Sequence, residues 1–136
     1  MPIRSDLDRL KGLIRTKVID PVAFEQIRLH LKSLRDTRAF RYPELVDARD
    51  VGDKKLSMHE LKAVARMAKN TLGHTAAAER AVVVEGDRAF RSARVVAALT
   101  AGWVRLGVFE DGEDAEHWLE ERKEWGLPPS ADWHSD

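Results

Sequence analysis

The sequence predicts an α/β domain with a single mixed, mostly parallel sheet, in which an N-terminal hairpin is followed by alternating helices and strands. Residues 81–84 form a continuous apolar and β-branched run, typical of a parallel strand covered on both faces. Helical spacing of apolar residues follows over 87–100. Residues 104–109 read as the last strand, and an acidic helix start leads into a helix over 111–125. This alternation predicts parallel strands joined by right-handed crossovers.

The first half of the chain supplies the hairpin and two further helices. Segments 3–6 and 13–18 are predicted to pair around a turn at Gly12, which can adopt positive φ. Asp20 and Pro21 predict a helix N-cap and first helical residue. Residues 45–48 predict a short buried strand. Ser57 and Glu60 then have the spacing of a capping box, which predicts a helix start at that point.

Length and composition limit the classes of protein to consider. A chain of 136 residues predicts one domain, which we place at 1–126 with a tail over 127–136. The absence of cysteine excludes disulfides and thiolate chemistry. The start of the chain has no signal-peptide pattern and no apolar stretch is long enough for a membrane span, so we predict a cytoplasmic protein. A formal net charge of zero argues against a nucleic-acid-binding protein.

Several core segments resemble the bacterial SpoIIAA-like proteins, which are relatives of the STAS domains (sulfate transporter and anti-sigma-factor antagonist). The similarity extends over about residues 3–122. The segments that carry it are 12–16, 44–49, 56–57, 81–84, 90–94, and Val108-Phe109 with the downstream Ala115, Trp118 and Leu119.

The resemblance implies a mixed, mostly parallel sheet with helices packed around it. It also implies a place to look for a regulatory site, since antagonist members carry a phosphorylatable serine just after the middle strand. Here Asp47 is followed by Ala48, Arg49 and Asp50, and the nearest hydroxyl is that of Ser57. Related SpoIIAA-like folds have also been grouped with a lipid-binding class.

The candidate binding residues lie where two predicted strands end, because ligands of parallel α/β sheets bind at the carboxyl ends of the strands. Asp87 is also predicted to cap the helix that it begins. The candidates are Asp47, Arg49, Asp50, Ser57, Gly86 and Asp87.

Catalytic and metal-binding motifs are absent from the sequence. There is no nucleophile elbow, no phosphate-binding loop and no dinucleotide fingerprint. The five histidines do not have ligand spacing, and Asp47, Asp50 and Asp53 fit a solvated turn better than a Mg²⁺ site. We therefore predict no catalytic residue, no metal and no cofactor, and hence a protein that is not an enzyme.

The helix predicted over 87–100 has a wide apolar face, which makes it a candidate interface. Val95, Val96 and Leu99 extend this face beyond what one packed side requires. The leading hypothesis is a non-enzymatic regulatory or protein-interaction module that binds an unknown protein partner and can form a homodimer. The alternative is a small-ligand or lipid-binding domain, with an apolar cavity that opens near Asp47 and Gly86.

Overall fold

The computed structural model describes residues 3–20, 22–53, 56–73, 75 and 77–125, and the predicted tail over 127–136 lies outside them. Five strands form one sheet in the spatial order of the chain. The strands are β1 (Ile3–Asp8), β2 (Leu13–Val18), β3 (Glu44–Asp47), β4 (Arg80–Val83) and β5 (Leu106–Phe109). β1 and β2 are antiparallel, and every later neighbouring pair is parallel. The predicted fold class is therefore confirmed.

Four α-helices follow the strands. They are α1 (Phe24–Asp36), α2 (Met58–Leu72), α3 (Asp87–Thr100) and α4 (Gly112–Trp125), and short 3-10 turns occur at Ala39–Arg41 and Arg49–Val51. The capping box at the start of α2 is present as predicted: Ser57 Oγ accepts from the Glu60 amide at 3.1 Å, and Glu60 Oε1 accepts from the Ser57 amide at 2.9 Å.

The predicted start of α1 is wrong. Asp20 is not the N-cap, because the first residue of the helix is Phe24 and its N-cap is Ala23, and Pro21 lies outside the described residues. Gln26 Oε1 accepts from the Ala23 amide at 2.8 Å, which is one half of a capping box; alanine has no side-chain acceptor for the other half. The dipeptide Asp-Pro had suggested a start three residues too early.

The sheet has one core on each face. On one face, α4 packs over β3, β4 and β5, and the buried cluster there is Leu13, Leu45, Ala81, Val83, Ala115 and Leu119. On the other face α1, α2 and α3 pack in sequence, and that cluster is Ile14, Leu34, Leu72, Ala77 and Val104. Because strand side chains alternate between faces, the central strands are apolar at consecutive positions.

The asymmetry of these layers leaves part of the sheet open. α4 packs mainly over β3–β5. On the same face of the sheet, β1 and β2 carry charged side chains, whereas a helix packed there would require apolar ones. β1 and β5 are the two edge strands. The open face and the carboxyl ends of the parallel strands are the places where a ligand or partner can reach the sheet.

Candidate functional site

The carboxyl ends of β2, β3 and β4 meet at one edge of the sheet. Lys17 is in register with Asp47, and Asp47 is in register with Val83. The Ala48 amide also donates to the Val83 carbonyl at 2.8 Å, which extends the pairing one residue past β3. Two of the predicted site residues therefore lie at the ends of neighbouring strands, as the sequence indicated: Asp47 is the last residue of β3, and Gly86 follows β4.

A compact group of ion pairs occupies the end of β3. Arg49 binds Asp47 in a two-point contact, with Nε donating to Oδ1 at 3.0 Å and Nη2 donating to Oδ2 at 2.9 Å. Lys17 lies 3.0 Å from Asp50 and 3.8 Å from Asp47. The Arg49 guanidinium, with smaller contributions from the Arg49 amide and Lys17, lowers the pKa of Asp47. These side chains satisfy one another, and none is positioned as an unpaired acid or base.

The end of β4 is joined to the loop after β3 by a long-range cap. The helix α3 begins at Asp87, and its N-cap Gly86 offers no side-chain acceptor. The Ala89 amide instead donates to Asp53 Oδ1 at 2.9 Å. The prediction that Asp87 caps this helix is therefore wrong: an aspartate 36 residues earlier in the chain satisfies that first-turn amide.

Gly86 is required by this arrangement. Its φ of +104° favours glycine, and a Cβ at this position would lie 2.3 Å from the Asp53 carboxyl carbon. The close approach allows the Asp53 carboxylate to reach the first turn of α3. Gly86 thus has a structural role in joining two loops, and that role accounts for its backbone conformation.

The structure divides the predicted binding residues into separate groups. Asp47, Arg49 and Asp50 are linked through their mutual contacts and Lys17. Gly86 contacts Asp53, and Asp87 is the exposed first residue of α3. Ser57 lies in its own capping box. Within the described residues, no group of three or more histidine, aspartate or glutamate side chains is arranged to hold a metal ion.

A groove of about 730 Å³ lies on the open face of the sheet, next to the ion pairs at Asp47. Its floor is formed by β1 and β2, with Arg4 and Lys17 on one side and Glu113 and Glu116 from α4 on the other. Glu116 binds Arg15 at 2.9 Å, which connects the two sides. The lining is mostly charged and does not include Gly86, so this groove differs from the apolar cavity that the ligand hypothesis predicted.

A buried polar network lies on the opposite face of the sheet, and sequence reasoning missed it. Glu44 is 2% exposed and Arg80 is 4% exposed, and the two residues are in register on β3 and β4. Glu44 Oε2 accepts from Thr16 Oγ1 at 2.6 Å and lies 2.7 Å from His30 Nε2. Arg80 Nε is 3.6 Å from Glu44 Oε1.

The negative charge of Glu44 determines the directions of the hydrogen bonds in this network. Burial alone raises the pKa of Glu44, but the hydrogen bond from His30 and the charge of Arg80 outweigh burial and lower the pKa below its ordinary value. Because a carboxylate only accepts, His30 Nε2 carries a proton and Thr16 donates its hydroxyl proton to Glu44. Ser5, whose Oγ is 2.8 Å from Thr16 Oγ1, is therefore the donor to Thr16.

The Arg80 guanidinium is only partly satisfied. Nη1 donates to the carbonyl oxygens of Tyr42 and Ala78, both at 2.8 Å. The buried Nε and Nη2 have no hydrogen-bond partner among the described residues. Glu44 therefore supplies the nearest negative charge for a cation that burial disfavours. A sequence signal existed, since Glu44 and Arg80 each begin an apolar strand that is covered on both faces.

The predicted interface on α3 is partly exposed. Val95 and Val96 are half-buried, and Leu99 is exposed together with Trp103 just beyond the helix. Lys69 of α2 lies over the Trp103 ring at 5.3 Å from the centroid. The apolar strip is therefore narrower than the sequence indicated, because α2 and β5 cover part of it.

Comparisons with known proteins give information on the fold. No protein-family model matches this chain, and no curated protein sequence matches it. The structure is similar to that of an uncharacterized protein of the DUF3478 family with a SpoIIAA-like fold from Shewanella loihica PV-4. The TM-score is 0.60 and the sequence identity 19%, over 86% of this chain and 93% of that chain.

The chain therefore has a SpoIIAA-like fold, and the fold implied by the sequence resemblance is confirmed. At this level of identity the similarity carries no information about activity. In the part of the chain that the structure describes, no helix is long and apolar enough to cross a membrane.

Proposed function

We propose that this protein is a non-enzymatic interaction module that binds a partner protein at the carboxyl edge of its parallel strands. The observation that carries the proposal is a pair of exposed apolar residues at that edge. Phe24 is 42% exposed and Met58 is 52% exposed, and they are the first residues of α1 and α2. Because both helices follow parallel strands, their starts lie at the carboxyl edge of the sheet.

The surroundings of these two residues fit a protein contact. Exposed large apolar side chains next to polar groups are typical of interaction surfaces, and aromatic residues and methionine are enriched there. Asp47, Arg49 and Asp50, which form ion pairs with one another and with Lys17, follow β3 at the same edge of the sheet. Their mutual ion pairs favour a preformed recognition surface over acid-base chemistry, which needs a group with a perturbed pKa and room for a substrate.

The proposal is tested by photo-crosslinking with an unnatural residue placed at position 24 or 58. Leu10 is the matched control, since it is 99% exposed and lies in the β1–β2 turn at the opposite edge. We expect probes at positions 24 and 58 to crosslink one and the same protein in cells, and the probe at position 10 to miss it. Equal crosslinking from all three positions would contradict the assignment of the surface.

A purified partner then allows a quantitative comparison. We expect the double substitution of Phe24→Ser with Met58→Ser to weaken binding at least about tenfold, since truncating a residue that dominates an interface costs about 2 kcal/mol or more. Leu10→Ser should bind like the wild type. Thermal unfolding of each variant controls for stability, because exposed substitutions usually change it by less than about 0.5 kcal/mol.

A second candidate is a small polar ligand bound in the groove at Arg4, Lys17 and Arg49. The groove volume of about 730 Å³ favours this candidate, and its charged lining favours a polar ligand over an acyl chain. A thermal-shift screen with amino acids, sugar phosphates and nucleotides tests it, with Arg49→Ala as the groove variant. Arg88→Ala, an exposed residue of α3 outside the groove, is the control. A stabilising compound whose effect survives in Arg49→Ala would place the ligand elsewhere.

A further inference from the structure

The edge strand β1 presents an unpaired backbone over six residues, Ile3–Asp8. An exposed edge of this length is a template for pairing with another strand, and natural proteins usually protect such edges with charges or a covering element. No described element lies beyond β1 in the sheet. Charged residues do occupy alternate positions of β1. They are not all of one sign, because Arg4 is positive and Asp6 and Asp8 are negative, so a strand with the reverse order of charges can pair with this edge.

Arg4 and Asp6 lie on the same face of β1 and have no ion-pair partner among the described residues. The β2 residue directly opposite Arg4 is Lys17, a charge of the same sign, which is unfavourable within the subunit. Asp6 is opposite Arg15, whose guanidinium is bound instead by Glu116 and Asp8. Both charges are therefore available to a partner at the open edge.

We propose that β1 pairs antiparallel with β1 of a second copy, about a two-fold axis at Ser5, and so joins two sheets into one. In this register Arg4 lies opposite Asp6 of the second copy, and the symmetry makes this ion pair twice. On the other face Ile3 lies opposite Leu7 of the second copy, again twice. Leu7 is an exposed large apolar residue in the single subunit, and this pairing covers it.

Other registers of the same strand are less favourable. Moving the axis by one residue, to Arg4 or to Asp6, places two like charges directly opposite each other at the centre. Moving it by half a residue would bring Arg4 opposite Leu7, whose side chain points to the other face of the sheet, and antiparallel pairing requires opposed residues to share a face. Only the axis at Ser5 satisfies the charged and the apolar positions together, which is why the partner chosen is a second copy of this chain.

Charge reversal at the two positions tests the register. Arg4→Asp and Asp6→Arg each replace two attractive pairs by two repulsive ones, so we expect each variant alone to raise the dimer dissociation constant at least about tenfold. An equimolar mixture of the two variants restores both pairs, and should form a heterodimer with about wild-type affinity. Combining both substitutions in one chain should restore the homodimer.

Sedimentation equilibrium from about 1 µM to about 1 mM measures these constants, since one strand pair buries little area and predicts weak association. Circular dichroism verifies that each variant is folded. A wild type that stays monomeric at the highest concentration overturns the proposal. So does a dimer that persists in both single variants, which would place the interface elsewhere, such as at Leu99 of α3.

Discussion

Glu44 is expected to be the most sensitive position in the core, and Glu44→Gln tests this with little change of shape. The substitution removes the charge that Arg80 faces at 3.6 Å. It also places an amide where the carboxylate accepts from Thr16 at 2.6 Å and contacts His30 at 2.7 Å. Both of these contacts are at Oε2, and Oε1 faces Arg80. Glutamine has only one acceptor oxygen, so if that oxygen keeps the contacts at Oε2, its NH2 group replaces Oε1 and faces the Arg80 cation.

The expected cost follows from the burial of the pair. Removing one partner of a buried ion pair destabilises a protein by about 3–5 kcal/mol, because the remaining charge stays desolvated. A single domain of this size has about 5–15 kcal/mol of total stability. Glu44→Gln should therefore remove a large part of the free energy of unfolding, and should lower the urea midpoint by about 2 M at an m-value of about 2 kcal/mol/M.

The assay is urea unfolding followed by circular dichroism and tryptophan fluorescence. Glu110→Gln is the matched control, because Glu110 is exposed at the end of β5 and the same chemical change there should cost less than about 0.5 kcal/mol. Replacing Glu44 and Arg80 together by methionine should restore most of the loss, since a well-packed apolar pair can replace a buried ion pair. If Glu44→Gln behaves like Glu110→Gln, the network does not stabilise the fold as inferred.

Three further predictions concern the same structure. The pKa of Glu44 is lower in the folded than in the unfolded protein, so the stabilisation by its charge is complete above the unfolded pKa of about 4.3 and is lost as the pH falls through the folded pKa. The difference in unfolding free energy between wild type and Glu44→Gln should therefore shrink over that acidic window. A difference that stays constant would refute the linkage. Gly86→Ala should lower the free energy of unfolding in urea by about 1 kcal/mol more than Gly102→Ala does. Both positions have positive φ, but only a Cβ at Gly86 collides with the Asp53 side chain that caps α3. Equal losses in the two variants would show that the cap contributes nothing to stability. Ser57→Ala should cost about 1 kcal/mol through loss of the capping box, whereas Ser57→Asp should retain most of the stability because aspartate is also a good N-cap; equal losses in the two variants would contradict this.

The strands and helices, apart from the start of α1, were predictable because their signals are local. The β-branched run before Gly86 and the capping box at Ser57 each specify an element within a few residues. The α4-side core follows from the same patterns, since alternate strand residues meet the apolar face of the last helix. Even the position of Asp47 at a strand end was readable, because the apolar run that precedes it stops there.

The contacts that organise the site were not predictable in the same way, because they depend on register between distant segments. Asp53 caps α3 across 36 residues, and the sequence offered Asp87 as a nearer acceptor. Glu44 and Arg80 meet because the crossover between β3 and β4 brings their first residues into register. The length of a crossover does not fix the register of the strands that it joins. From the sequence, Glu44 and Arg80 could therefore be recognised as charged residues in otherwise apolar strands, but not as partners of each other.

The core network and the proposed β1 interface touch at Ser5, yet they should respond independently to mutation. Ser5 is joined to Thr16 by one hydrogen bond, whereas the backbone of β1 is held by six register pairs with β2. Among the described residues, the hydrogen bonds of the Glu44 network reach β1 only through Ser5, so the effects of substitutions at Glu44 and at Arg4 should be close to additive. Glu44→Gln should therefore lower the unfolding free energy without changing the dimer dissociation constant of the folded protein. Arg4→Asp should raise the dimer dissociation constant without lowering the unfolding free energy that is measured at low protein concentration.

Because dimerisation raises apparent stability by mass action, the unfolding curves must be compared at several protein concentrations. A folded Glu44→Gln protein that no longer dimerises would contradict this independence and would show that the buried network is coupled to the strand edge, for which the Thr16–Ser5 hydrogen bond is the available route.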